Sequence, residues 1–130
     1  MSEANKLYQP SYVSFEYALS YYHLIPETVY TITSATTKPT REFEVLNKIY
    51  RYYKIRKEAF TGYEPRKIDD LTVFIAEPEK ALVDYLYFVD LKKRSMNERL
   101  QAKNLRKKRV IEYTKVFKRE NLMKLAMDVL

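Results

Sequence analysis

The sequence holds no cysteine and no tryptophan, one glycine (Gly62) and one histidine (His23). Without cysteine there are no disulfides, no thiolate metal sites and no thiol nucleophile. A single histidine leaves His/Cys metal centres without ligands, and a phosphate-cradling loop needs several glycines. No apolar run approaches the roughly 18 residues of a membrane span, and residues 1–20 lack a signal-peptide hydrophobic region. The chain therefore reads as cytoplasmic, with no membrane partner.

What is present suits a folded domain. The 130 residues are 46% hydrophobic, enough to bury a core in one domain spanning 1–130. Within it, 1–91 read as helix, sheet and helix, and 92–130 as a basic segment with C-terminal helices. Tyrosine supplies 13 rings beside six phenylalanines. Its flat apolar body and hydroxyl suit either the rim of a small core or contact with another molecule.

Five rings crowd the stretch PSYVSFEYALSYYHLIPE at 10–27. Ser14 can cap a helix from Phe15 to Ile25, with Phe15, Ala18, Leu19 and Tyr22 on one apolar stripe. Tyr17 and Tyr21 flank it, Glu16, Ser20 and His23 take the polar arc, and Pro26 ends it. Strands follow at 29–35, around Arg41 to Val45, and at 48–55, where Tyr50, Tyr52 and Lys54 share one face. Gly62 marks a turn. LTVFIA (71–76) is a continuous apolar run that predicts a central strand buried on both faces. Pro78 and the neighbouring acids open a helix; Ala81, Leu82, Tyr85, Leu86, Phe88 and Val89 are its core face, and Glu79, Lys80, Asp84, Tyr87 and Asp90 its polar face. Two further helical stripes run through Val110–Phe117 and Leu122–Val129. The expected fold is α+β: an N-terminal helix, a small mostly antiparallel sheet of about four strands, then three C-terminal helices.

Signals for catalysis are poor. His23 alone on a polar arc reads as structural or inert. Asp69, Asp70, Glu77 and Lys80 suggest a metal-dependent nuclease, but Pro78 stands where such a site wants an acid, and Glu77 and Glu79 suit a helix start. The chain reads as a non-enzyme without catalytic residues, metal or cofactor.

The net charge of +7 is concentrated. Lys92, Lys93, Arg94, Arg99, Lys103, Arg106, Lys107, Lys108 and Arg109 face only Glu98 within 92–109. Such a segment either binds phosphates with strong salt dependence or is a solvated helix end beside an acidic face. Charge positions a nucleic acid without reading its sequence. Single-strand binding wants rings among the charges, and 92–109 contains none.

Two blocks carry a family resemblance. Residues 4–44, through Pro10–Ser14, Ala18–Glu27, Val29–Thr33 and Thr36–Lys38, resemble the AbiEi family of antitoxins from bacterial type IV toxin–antitoxin (abortive infection) systems. Pro78, Glu79, Lys80, Ala81, Leu82 and Asp84 match the family's later Pro-Glu-Lys-Ala-Leu-x-Asp helix. The resemblance implies a non-enzymatic antitoxin in phage defence that opposes a nucleotidyltransferase-type toxin without requiring a stable complex. It covers the second domain of such proteins; the chain has no room for their N-terminal winged helix, so promoter recognition does not carry over. A stand-alone nucleic-acid-binding module, or an accessory domain to a transcriptional regulator, is the alternative. On the leading reading, alanines at Arg106, Lys107, Lys108 and Arg109 would abolish protection without lowering stability.

Overall fold

A computed structural model describes every residue from Met1 to Leu130. Helix α1 (Ala4–Leu7) leads into β1 (Ser11–Val13) and α2 (Phe15–Tyr21). Strands β2 (Ile32–Thr36), β3 (Arg41–Val45) and β4 (Lys48–Lys54) follow, then a 3-10 turn at Lys57–Ala59. Strands β5 (Tyr63–Ile68) and β6 (Leu71–Ala76) precede α3 (Pro78–Asp90), α4 (Lys107–Lys115) and α5 (Glu120–Val129). The α+β class holds, but the sheet has six strands rather than four, in the order β3-β4-β2-β1-β6-β5. It is mixed: β1/β2, β3/β4 and β5/β6 pair antiparallel, while β1/β6 and β2/β4 pair parallel. A short helix and a strand also precede the tyrosine-rich helix.

The two unexpected strands have physical explanations. β1 is three residues long, too short for a period to show. β5 contains Pro65, which argues against a strand, but it lies at the sheet edge, where a missing N–H is tolerated. Asp69 and Asp70 both adopt positive φ and close the β5/β6 hairpin as a two-residue turn. Leu46 and Asn47 do the same between β3 and β4.

With one glycine available, left-handed positions fall to other residues. α2 stops at Tyr21 instead of Ile25 because His23 (φ 61) reverses the chain: its N–H donates to the Ser20 carbonyl, and that of Leu24 to the Leu19 carbonyl. Lys92 (φ 61) ends α3 identically, with the N–H groups of Lys92 and Lys93 donating to Val89 and Phe88. Ser14 makes no capping bond with its side chain, which is committed elsewhere.

One core cluster of 28 buried residues unites the chain. Val110, Phe117, Leu122 and Ala126 from the C-terminal helices belong to it alongside Val13, Tyr52 and Ile75 from the sheet. On β4, Tyr52 bonds the Ala4 carbonyl through its hydroxyl, whereas Tyr53 meets Phe15 and Phe88 from α2 and α3. In β6, Val73 and Ile75 are buried on one face, whereas Leu71 at the start of the strand and Thr72 and Phe74 on the other face are exposed, so the strand is not buried on both faces as its sequence suggests.

Helix α3 departs furthest from expectation. It packs against α2, α4, α5 and β6. Its supposed polar face is therefore interior: Glu79, Lys80, Asp84 and Asp90 are all buried. No helix is long and apolar enough to cross a membrane.

Candidate functional site

Lys80 and Asp84 stand one turn apart on α3, and both are fully buried. The Lys80 ammonium donates to Asp84 Oδ1 at 2.5 Å, to the Tyr12 hydroxyl at 2.8 Å and to the Ala59 carbonyl at 2.8 Å, which uses all three of its hydrogens. Asp84 Oδ2 accepts from the Tyr12 hydroxyl at 2.9 Å and from Ser14 Oγ at 2.6 Å. Burial lowers the pKa of Lys80, opposed by the charge and hydrogen bond of Asp84. Burial and the neighbouring carboxylate push Tyr12 well above the ordinary phenol range. Rings of Phe117 and Tyr12 lie 5.1 and 5.4 Å from the ammonium. The centre is saturated and dry, which suits a structural clasp between β1 and α3. In the sequence its members show as parts of the two family-like blocks and as an i,i+4 spacing of Lys and Asp, which is equally natural on a solvated face.

Gly62 is required beside this clasp. At φ +77, a Cβ there would lie 2.7 Å from Lys80 Cγ and 2.9 Å from Tyr113 Cε1. The glycine thus serves both the turn and the close approach of the lysine stem.

The basic segment is not one exposed patch. Arg94 Nε meets Glu16 at 2.7 Å, and Arg99 pairs with Glu27. Arg106 bonds Glu79 at 3.0 Å and Glu77 at 3.2 Å, and Arg109 bonds Glu77 at 3.1 Å. Tyr113 also donates its hydroxyl to Glu77. Burial opposes ionisation of Glu77 and Glu79, but bonds from Tyr113 and Arg109 to the first, and from Arg106 to the second, outweigh it and hold both carboxyls below the usual range. Four carboxylates from outside the segment thus offset half of its excess charge. Lys92, Lys93, Lys103, Lys107 and Lys108 are exposed and form no ion pair. The segment also spreads: Lys93 and Arg94 line one cavity, Arg99 a second beside Glu16 and Glu27, and Lys103 a third beside Tyr22 and His23. Its irregular stretch is anchored where Gln101 N–H donates to Leu24, Asn97 to Glu27, and Tyr85 to the Ser95 carbonyl.

The residues proposed for nuclease chemistry form no common site: Lys80 is committed to Asp84, and Glu77 to Arg106, Arg109 and Tyr113. Asp69 and Asp70 sit in the β5/β6 turn, at the far end of β6 from α3, about 20 Å of strand away. No group of three or more His, Cys, Asp or Glu residues could hold a metal ion. Neither protein-family models nor curated proteins match the sequence.

Proposed function

We propose that this chain is a non-enzymatic antitoxin domain, opposing a nucleotidyltransferase-type toxin, whose basic residues contact nucleic acid. The observation that carries the reading is where the two blocks of the resemblance meet. Tyr12 and Ser14 come from the first block, Lys80 and Asp84 from the second, and they close one buried hydrogen-bond network. Such mutual dependence gives a physical reason for the two motifs to occur together in one fold. The five unpaired lysines are the part of the basic segment left free for phosphates.

The test is growth rescue. Expression of a nucleotidyltransferase-type toxin of this kind in a bacterial host arrests growth, and co-expression of the 130-residue chain restores it. Continued arrest, with the chain shown to be folded and expressed, overturns the antitoxin reading.

The alternative, a stand-alone nucleic-acid-binding module, is favoured by the same free lysines. It gives salt-sensitive, sequence-indifferent binding without rescue.

A further inference from the structure

The rings missing from the basic segment in sequence are supplied by other elements in space. A cavity of about 580 Å³ lies between Tyr53, Lys54 and Arg56 on one side and Tyr87, Lys93 and Arg94 on the other. Four cations and the half-buried rings of Tyr53 and Tyr87 therefore share one concavity, with the buried Phe88 also in its lining; no carboxylate lines it, but Glu16 and Glu58 pair with Arg94 and Arg56 from outside. The rings come from β4 and α3, and the cations from the end of β4 and from the loop after α3.

The two arginines are held in place. Arg94 lies over the Tyr53 ring, 4.7 Å from its centroid, with Nε bonded to Glu16. Arg56 donates to the Phe117 carbonyl at 3.2 Å through Nη1 and pairs with Glu58 at 3.7 Å through Nε, which leaves Nη2 for a ligand. Tyr87 stacks on Phe117 at 4.3 Å between centroids, which fixes its plane. Lys54 and Lys93 are exposed, without ion pairs, and free to follow a ligand.

We infer that this cavity binds a nucleotide unit of a single-stranded nucleic acid, with phosphates on Lys54, Arg56 and Lys93 and an unstacked base against the ring-lined wall. The inference deepens the nucleic-acid half of the proposed function and rests on it. Rings beside cations favour a nucleotide over a bare anion, which gains nothing from apolar walls. A concave site favours a single strand, because duplex bases stay stacked and out of reach of protein rings. Volumes of this order suit one small ligand moiety.

The test is fluorescence anisotropy with a labelled oligothymidylate of about 12 nucleotides, with the matching duplex as a second probe and inorganic phosphate as competitor. Three neutralised phosphates give a roughly 20-fold loss of affinity between about 50 and 200 mM salt. In Lys54→Ala/Lys93→Ala that loss shrinks to about threefold. Tyr87→Leu, with folding checked by circular dichroism, weakens the single strand by about tenfold and leaves the duplex unchanged. The control pair Lys67→Ala/Lys124→Ala, with the same charge change, retains the wild-type salt dependence. Equal binding of duplex and single strand, or complete displacement by millimolar phosphate, overturns the assignment.

The failures are separable. Absence of binding by the wild type to either probe at low salt removes both the cavity and the nucleic-acid half of the proposed function. Binding lost in Lys107→Ala/Lys108→Ala but intact in Lys54→Ala/Lys93→Ala overturns the cavity alone. Growth rescue is scored independently of both.

Discussion

The Tyr12 hydroxyl accepts a 2.8 Å hydrogen bond from Lys80, 68 residues further along the chain, while donating to the Asp84 carboxylate. A tyrosine on a three-residue strand thereby completes an ion pair on a helix, with every polar atom of the pair satisfied in the interior.

Breaking this clasp on one side strands a buried charge. Asp84→Leu and Lys80→Met each lower stability by about 3–5 kcal/mol, whereas the double variant recovers most of the loss. Urea denaturation of the three variants measures this; a loss under about 1 kcal/mol for either single variant contradicts a dry, paired centre.

The same site makes Gly62 irreplaceable. Gly62→Ala combines an unfavourable positive φ with a Cβ that overlaps the Lys80 stem, and costs about 1–3 kcal/mol. A thermal midpoint matching wild type would show that the lysine can move aside.

Among the residues in left-handed positions, His23 and Leu46 are two that glycine replaces with a gain. His23→Gly at the end of α2 and Leu46→Gly in the exposed β3/β4 turn each raise stability by up to about 1 kcal/mol. Urea midpoints read the change, and a lowered midpoint for Leu46→Gly would mean that its side chain makes a compensating contact.

Stability also falls in acid. In the fold, the pKa values of Glu77, Glu79 and Asp90 are all lowered: burial raises each, but their hydrogen-bond and arginine partners win. A depressed carboxyl binds protons more readily when unfolded, so its contribution is present above the unfolded value, 4.5 for Glu and 3.8 for Asp, and is lost as pH falls through the lower folded value. Urea midpoints decline below that range, and Glu77→Gln flattens the decline.

The ion pairs of Arg106 and Arg109 alter how the basic run must be dissected. Alanines at Arg106, Lys107, Lys108 and Arg109 together remove partners of Glu77 and Glu79, so the quadruple variant loses stability as well as charge, contrary to the sequence-based expectation. Lys107→Ala/Lys108→Ala removes charge alone: toxin protection drops while the thermal midpoint stays within about a degree of wild type. Unchanged protection would place the effector surface elsewhere.

Local chemistry by itself determined a good deal. β-branching placed β2, though three residues early, alternation placed β4, Pro78 and the acids beside it opened α3, and Gly62 marked its turn. These features depend on neighbours in the chain, and so their signals survive in the sequence. What tertiary structure decided depends on distant neighbours. β6 is almost wholly apolar, yet Leu71, Thr72 and Phe74 are exposed, because cover comes from other elements. Pro65 sits in a strand because that strand is an edge. Above all, Lys80, Asp84, Glu79 and Asp90 read as a solvated face and lie inside, since α2, α4 and α5 close around α3 and supply partners from far along the chain. A charge is legible as buried only when its partner is known, and the partner of Lys80 is fixed by the fold that brings Tyr12 and Ala59 to it.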